Sequence, residues 1–348
     1  MKKISLTYDD IQLVPRHSTV SSRKDISLAT PLSKRYKIDI PIVASPMDTV
    51  CETNMAIKMM DLGGVGCIHR FCGMIEQAEM VSKVAIHKYS NNYDSDKKLN
   101  PYYRPVMAAI GVSKRDKDRA KMLVDAGCEV LLIDVAHGDH ENVIQMIKWC
   151  KKKFTKKDVD IIAGNIATSE AAERLQDAGV DGLRVGIGGG SLCTTRMRTG
   201  FGVPNVTCLE EIQKVAKVPI MADGGIRSSG DMAKALAVGA QNVMIGSLIA
   251  GTDESPGRIL ESPSGLYKRY RGSASLETKM AHNQEERNVE GESATIPYKG
   301  GVKFVIKDLC DGIRSALSYA GATHLTTYFP EYVEVTNSGL TEAKPHLL

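Results

Sequence analysis

Short, continuously apolar runs rich in valine and isoleucine recur along the chain, and amphipathic stretches separate most of them. There are eight such runs: "PIVAS" (41–45), "GVGCI" (64–68), "VMAAIG" (106–111), "VLLID" (130–134), "DIIAG" (160–164), "GLRVG" (182–186), "PIMAD" (219–223) and "NVMIG" (242–246). Between the later runs, apolar side chains return at helical spacing, and Ser169 and Ser229 stand where helix N-caps are expected. Strands that are apolar on both faces and alternate with helices predict an α/β fold with a parallel sheet.

The number of repeats favours a closed barrel over an open sheet. Eight strand–helix units within about 210 residues suit a (β/α)₈ TIM barrel. A doubly wound sheet is disfavoured because no G-x-G-x-x-G fingerprint follows the first strand. We therefore predict a single barrel domain over residues 1–348. Functional groups of this fold gather at the carboxyl ends of the strands, where the sequence places Ser45–Asp48, His69, Arg70, Asp134, Asn165, Cys193, Asp223, Gly246 and Ser247.

The chain beyond about residue 252 does not continue the alternation. Its residues 277–295 are polar and poor in apolar side chains. Such a stretch within a compact domain predicts either a mobile lid or an inert solvated loop. We expect the lid, within about residues 272–300 after the eighth strand. The tail after Tyr328 is expected to be extended and to cover a neighbouring surface.

Composition narrows the class of protein. A formal charge of +4 over 348 residues does not indicate nucleic-acid binding. No apolar run approaches the roughly 20 residues that span a bilayer, so no membrane partner is expected. The start "MKKISLTYDDIQL" lacks the apolar core of a signal peptide. The eight cysteines are irregularly spaced and predict neither a disulfide framework nor a zinc site. We expect a cytoplasmic protein with reduced thiols.

The stretch "GIGGGSLCTTR" (186–196) places a cysteine among glycines, where packing does not explain it. Either the glycines cradle a phosphate and the cysteine is incidental, or the loop presents Cys193 as a thiolate nucleophile. Arg196 and nearby amides would then supply positive potential. Glycine carbonyls of the loop could also bind a monovalent cation.

The loops after the seventh and eighth runs, "ADGGIRSSGD" and "MIGSLIAG", carry glycines that let backbone N–H groups approach a phosphate. Asp223 suits ribose hydroxyls better than phosphate. His137 and His140 could ligate a metal, but no carboxylate with useful spacing accompanies them, and a solvated or supporting role is favoured.

Five motifs together resemble the IMP dehydrogenase/GMP reductase family: "SPMDTV" (45–50), "GNIAT" (164–168), "GIGGGSLCTTR" (186–196), "ADGGIRSSGD" (222–231) and "YRGSAS" (270–275). The resemblance covers nearly the whole chain in the same order. It implies a (β/α)₈ barrel that binds a purine nucleotide monophosphate, GMP or IMP, and joins its C2 carbon covalently to the loop cysteine. It also implies a homotetramer.

The resemblance implies roles for individual residues. Cys193 would be the nucleophile, with Thr195 and Glu290 as its catalytic neighbours. The nucleotide would be held by Ser45, Ser191, Asp223, Gly225, Gly246, Ser247, Tyr270 and Gly272. The nicotinamide cofactor would be contacted by Asp134, Asn165 and Arg287. A potassium ion would be bound by carbonyls of Gly188, Gly190 and Cys193.

Two activities remain within that family. The lid reads "EERNVEGES", and Arg287 three residues before Glu290 resembles the reductase pattern R-x-x-E-G. The Arg-Tyr pair that a dehydrogenase lid typically carries is missing. Only about 35 residues separate "CIHRFC" from "VMAAIG", which is too short for a CBS pair. We predict an NADPH-dependent GMP reductase.

Other features point to the alternative, a CBS-lacking IMP dehydrogenase that oxidises IMP to XMP with NAD. The motifs "SPMDTV", "ADGGIRSSGD" and "YRG" are closer to the dehydrogenase. The stretch "GSAS" (272–275) differs from the sequences usual in this family. Arg70 stands where members of the family commonly have a lysine. A catalytically silent nucleotide-binding barrel is disfavoured by "SLCTTR", since a binder needs no cysteine there. A phosphate-binding isomerase of this fold would need no lid.

Overall fold

The computed structural model describes residues 4–91, 104–281 and 289–343. Its strands in chain order are β1 Ile11–Leu13, β2 Thr30–Pro31, β3 Lys37–Ile38, β4 Ile42–Ala44, β5 Val65–Ile68, β6 Met107–Ile110, β7 Val130–Asp134, β8 Asp160–Ile166, β9 Gly182–Val185, β10 Ile220–Asp223, β11 Asn242–Ile245, β12 Leu260–Ser262, β13 Gly265–Arg271, β14 Ser293–Pro297 and β15 Tyr332–Glu334. Strands β4 to β11 form a closed parallel barrel, with β11 paired to β4. Each predicted apolar run contains one barrel strand, so the α/β barrel prediction is confirmed.

The helices are α1 Thr53–Asp61, α2 Met74–Ser90, α3 Lys114–Asp125, α4 Glu141–Lys153, α5 Ser169–Asp177, α6 Thr195–Thr199, α7 Asn205–Gln213, α8 Ser229–Ala237, α9 Leu276–Ala281, α10 Val302–Tyr319 and α11 Asn337–Glu342. Short 3₁₀ turns cover Tyr8–Asp10, Arg23–Asp25 and Leu325–Thr327. In the described ranges, no helix has the length and apolar character needed to cross a membrane.

Barrel strands are buried on both faces, which explains why they read as continuous apolar runs. One face fills the barrel interior with side chains such as Val43, Met107 and Leu132. The other face packs against the surrounding helices through side chains such as Ile42 and Ile133. The core therefore has an inner and an outer layer, as expected for this fold.

Two helix caps lie one residue earlier than predicted. The side chain of Thr168, rather than Ser169, accepts the N–H of Ala171 at the start of α5. At α8, Ser228 rather than Ser229 accepts the N–H of Asp231. Both predicted residues are the first residue of their helix, and the preceding residue has the extended backbone that an N-cap requires.

The amino end of the barrel is closed by the β2–β3 hairpin. Its connecting turn holds the fully buried Asp160 at the start of β8: Ser33 Oγ donates to the carboxylate at 2.6 Å, and Arg35 Nε donates at 2.6 Å. Ligands therefore reach the barrel from the opposite end, where the strands finish.

The predicted lid region, about residues 272–300, contains two elements of regular structure. Helix α9 lies near its start, and β14 lies near its end as the third strand of the antiparallel sheet β12–β13–β14. Residues 282–288 of this region lie outside the described residues, and the mobility of the lid stays a prediction. The tail after Tyr328 is extended as far as β15, which pairs antiparallel with β1 of the same chain. Beyond β15 the prediction is wrong, because Asn337–Glu342 form helix α11.

Candidate active site

A cavity of about 400 Å³ opens at the carboxyl end of the barrel strands. Its walls contain every residue that the sequence predicted for catalysis, nucleotide, cofactor and cation, apart from Arg287, which lies outside the described residues. Residues from the carboxyl ends of seven barrel strands, from β13 and from the segment after β13 thus converge on one space. The cavity is the candidate active site.

The cysteine loop, residues 186–194, leads from β9 to α6 and presents an exposed Cys193. The Cys193 thiol donates to Thr195 Oγ1 at 3.2 Å, and that hydroxyl donates to Glu290 Oε2 at 2.7 Å. A thiol, a hydroxyl and a carboxylate therefore form a continuous chain along which a proton can move. The other seven cysteines are free thiols that are buried or half-buried.

Glu290 is held in place by its backbone. Residues 290–292 lie as an extended segment between the cysteine loop and the turn at 272–275. On one side, Thr194 N–H donates to Glu290 O and Glu292 N–H donates to Leu192 O, both at 3.0 Å. On the other side, Glu290 N–H donates to Ala274 O at 3.1 Å and Gly272 N–H to Glu292 O at 2.9 Å. This pairing sets which residue of the lid faces Thr195.

The structure places Arg196 against the backbone of the cysteine loop. Its guanidinium donates to the carbonyls of Ile187 and Val203 and so braces the base of the cysteine loop. A methyl group on Gly188 would approach the Arg196 side chain to 2.4 Å. Arg196 is therefore a support of the loop.

The carbonyls predicted to bind potassium are compatible with a cation. The Gly190 carbonyl accepts the Cys193 N–H at 3.0 Å and keeps a lone pair. Within the described ranges, no donor is bonded to the Gly188 or Cys193 carbonyl. Backbone carbonyls in this state are ligands that suit potassium.

The side chains within the described ranges offer no comparable metal centre. No cluster of three or more His, Cys, Asp or Glu side chains that could hold a metal occurs among the residues described. His140 instead caps α4, with Nδ1 accepting the Asn142 N–H at 3.1 Å, and His137 is exposed. This agrees with the supporting or solvated role favoured for the two histidines.

A buried guanidinium organises the carboxylates of the cavity. Arg184 on β9 forms an ion pair with Asp134 and another with Asp223, the latter at 3.0 Å. Burial opposes the charge, but the two carboxylates outweigh it and raise the pKa of Arg184. Sequence reasoning missed this residue, although a single charged residue inside the apolar run "GLRVG" was a usable signal.

Asp223 is held from a second direction by Asn165. The Asn165 amide donates to Asp223 Oδ2 and to the Gly186 carbonyl, both at 2.6 Å. Asp134 is shared between Arg184 and Arg70, whose Nε lies 3.5 Å from Oδ2. The side chains predicted to contact the cofactor, Asp134 and Asn165, therefore line the cavity but are engaged with protein partners.

Hydroxyls and glycines gather at one end of the cavity. Ser191 Oγ and Tyr270 Oη are 3.2 Å apart. Burial raises the pKa of Tyr270, so its hydroxyl stays protonated and can donate. A methyl on Gly246 would stand 3.3 Å from Tyr270 Oη and 3.5 Å from Ser45 Oγ. Gly225 has φ of +76°, a conformation that favours glycine. Such a cluster of donors suits an anion.

Comparison with known proteins gives concordant results. A model of the IMP dehydrogenase / GMP reductase domain matches residues 5–346. An inosine-5'-monophosphate dehydrogenase of Cryptosporidium parvum is 40% identical, and the match covers 98% of this chain and 94% of that protein. A GMP reductase of Leishmania donovani is 32% identical, with 98% and 96% covered.

A solved structure is also similar. It is a GMP reductase variant of Trypanosoma brucei in complex with guanosine 5'-monophosphate. It superimposes with a TM-score of 0.90 at 32% identity and covers 100% of this chain and 98% of its own.

Proposed function

The chain belongs to the IMP dehydrogenase/GMP reductase family, and from that premise we propose that it is a GMP reductase. It would convert GMP to IMP with NADPH and release ammonia. The observation that carries the proposal is the 2.7 Å hydrogen bond between Glu290 and Thr195, beside the Cys193 thiol.

The amino group at C2 of GMP leaves as ammonia only after it gains a proton. A carboxyl group linked through a hydroxyl to the attacking thiol is placed to deliver that proton. Glu290 reaches Thr195 because residues 290–292 pair with the cysteine loop. Dehydrogenation of IMP ends in hydrolysis and needs an activated water, for which the lid of this chain lacks the Arg-Tyr pair.

The chain's residues would act in the following order. Hydroxyls of Ser45, Ser191, Ser247 and Tyr270, with backbone N–H groups at Gly225 and Gly246, bind the phosphate. Asp223, held by Arg184 and Asn165, accepts from the ribose hydroxyls. Gly272 and the turn that follows it border the base.

Cys193 then gives its proton toward Thr195 and forms a bond from Sγ to C2 of the purine. Glu290 protonates the departing amino group through Thr195, and the C–N bond breaks. NADPH, when bound, would supply a hydride to C2. Release of Cys193 requires the C–S bond to break with its electron pair returning to sulfur, and the thiolate then regains a proton. Overall, GMP, NADPH and protons give IMP, ammonium and NADP⁺.

Asp134, Asn165 and Arg287 are proposed to orient the nicotinamide cofactor, which requires Asp134 to loosen its contact with Arg70. Carbonyls of Gly188, Gly190 and Cys193 are proposed to hold potassium and so to shape the cysteine loop. A homotetrameric, cytoplasmic protein with a mobile lid remains part of the proposal.

The alternative function is IMP dehydrogenase without CBS domains. It is favoured by the 40% identity to the Cryptosporidium parvum protein of that name. It is also favoured by "SPMDTV" and "ADGGIRSSGD".

An absorbance assay with the purified protein separates the two functions. We expect loss of NADPH absorbance with GMP and release of ammonium. Growth of NADH absorbance with IMP and NAD, together with XMP formation and no turnover of GMP, would replace the proposal with the alternative.

A further inference from the structure

Two loops of the cavity carry different parts of the proposed chemistry. The cysteine loop, residues 186–194, carries the nucleophile, and the phosphate loop, residues 223–227, follows β10 and faces the nucleotide's ribose and phosphate. Each lies at the end of its own strand, and β9 and β10 are neighbours in the barrel.

The two loops touch through glycine backbone. A methyl added to Gly186 would lie 2.1 Å from the Asp223 carbonyl oxygen. A methyl added to Gly224 would lie 2.9 Å from the Gly189 carbonyl carbon and from the Gly190 nitrogen. No side chain fits between the loops, so a displacement of one is transmitted directly to the other.

Asn205 lies against both loops. It is the first residue of α7 and is 4% exposed. Its Nδ2 donates to the Gly224 carbonyl at 2.6 Å, and a methyl on Gly189 would stand 3.0 Å from the same nitrogen. Asn205 does not itself line the cavity, so any influence on catalysis acts through the loops.

We propose that Asn205 is a positioning residue that couples the phosphate loop to the cysteine loop, so that seating of the nucleotide sets the reach of the Cys193 thiol. This inference rests on the proposed function only for the assignment of the phosphate loop to the nucleotide. Asn205 and the glycine contacts join the two loops, so that a change in the position of one loop requires a change in the position of the other. By linkage, if nucleotide binding favours certain positions of the cysteine loop, a restraint that holds the cysteine loop in those positions strengthens nucleotide binding by the same factor.

Asn242 is a matched control. It is fully buried at the start of β11, and its Nδ2 also donates to a backbone carbonyl, that of Pro31, at 3.0 Å. It lies at the closed end of the barrel. Asn242→Ala removes the same kind of hydrogen bond from the same kind of environment without touching either loop.

The test uses two readouts, one for each loop, on the whole protein. The first is the dissociation constant for GMP from titration calorimetry. The second is the rate at which iodoacetamide alkylates Cys193 in the absence of nucleotide, followed by peptide mass spectrometry. For Asn205→Ala we expect GMP binding to weaken about 5- to 10-fold, as for the loss of one buried hydrogen bond, and the alkylation rate to change at least about 3-fold. For Asn242→Ala, the dissociation constant and the alkylation rate should both stay within about 2-fold of the wild-type values.

Asn205→Asp keeps the size of the side chain and removes the donor, so it serves where Asn205→Ala fails to fold. Asn205→Gln keeps the donor and should restore part of both readouts. If Asn205→Ala changes only the dissociation constant for GMP, only the alkylation rate of Cys193, or neither, the proposed coupling is wrong. Equal effects from Asn205→Ala and Asn242→Ala also overturn it, because they would reflect general loosening of the fold. Failure of the wild type to bind GMP would instead overturn the proposed function.

Discussion

Replacing Glu290 by glutamine tests the proton transfer on which the proposed reaction depends. Glutamine has nearly the same shape, and its carbonyl oxygen can still accept the Thr195 hydroxyl, which is 2.7 Å from Glu290 Oε2. The backbone pairing of residues 290–292 involves only N–H and C=O groups and is unchanged. The substitution therefore removes the exchangeable proton while keeping the geometry.

The expected loss follows from that single change. General acid–base catalysis typically contributes about 10²- to 10⁴-fold, so kcat for GMP reduction should fall by that factor, equivalent to about 2.7–5.4 kcal/mol of transition-state stabilisation. Because Glu290 is not assigned to the phosphate or ribose, KM for GMP should change by less than about 3-fold. The measurement is NADPH absorbance against GMP concentration.

Glu292→Gln provides the control. Glu292 lies in the same extended segment but is exposed and does not line the cavity. The Glu292→Gln variant should retain most of the wild-type activity in GMP reduction. If Glu290→Gln kept more than about a tenth of the wild-type kcat, Glu290 would not be the general acid. Robust XMP formation that collapses only on Arg287→Ala would transfer the assignment to the dehydrogenase.

Further predictions concern the nucleophile, the ribose contact and the helix caps. Cys193→Ala should abolish turnover yet leave GMP binding by calorimetry nearly unchanged; more than a few per cent of residual turnover would argue against covalent catalysis. Asp223→Ala should weaken GMP binding by about 1.5–3 kcal/mol, the usual contribution of a hydrogen bond to a charged group; an unchanged dissociation constant would mean that the ribose lies elsewhere. Ser228→Ala should lower the free energy of unfolding by about 1 kcal/mol in urea denaturation. Ser229→Ala should cost clearly less, and the reverse order would contradict the observed cap.

The sequence predicted the barrel because its strands are buried on both faces. That burial requires continuous apolar runs, and eight of them with intervening helices leave few alternative topologies. Caps were predicted one residue late because Thr168 and Ser169, and likewise Ser228 and Ser229, are adjacent capping types. Only the backbone angle decides between them.

Motifs in the sequence predicted most of the residues that line the candidate site. They did not predict the side chains that hold those residues in place. Side-chain partners such as Arg184 with Asp134 join residues 50 positions apart. Local pattern carries no information on such pairs. The same is true of Asn205, whose position against Gly224 arises only when β9 and β10 become neighbours in the barrel.

The β1–β15 ribbon has a mechanical consequence. Its strands are antiparallel, with Ile11 opposite Glu334, so the segments before Ile11 and after Glu334 leave the ribbon at the same end. Tension that draws those segments apart breaks the ribbon's hydrogen bonds one after another. Sequential breaking needs a lower force than pulling two strands past each other along their length, which loads all of their hydrogen bonds at once. The segment before Ile11 contains Tyr8, whose ring lies 3.4 Å from where a methyl on Gly225 would stand. Pulling on the two ends would therefore load the contact between Tyr8 and the loop proposed to hold the nucleotide's phosphate while the eight-stranded barrel still holds.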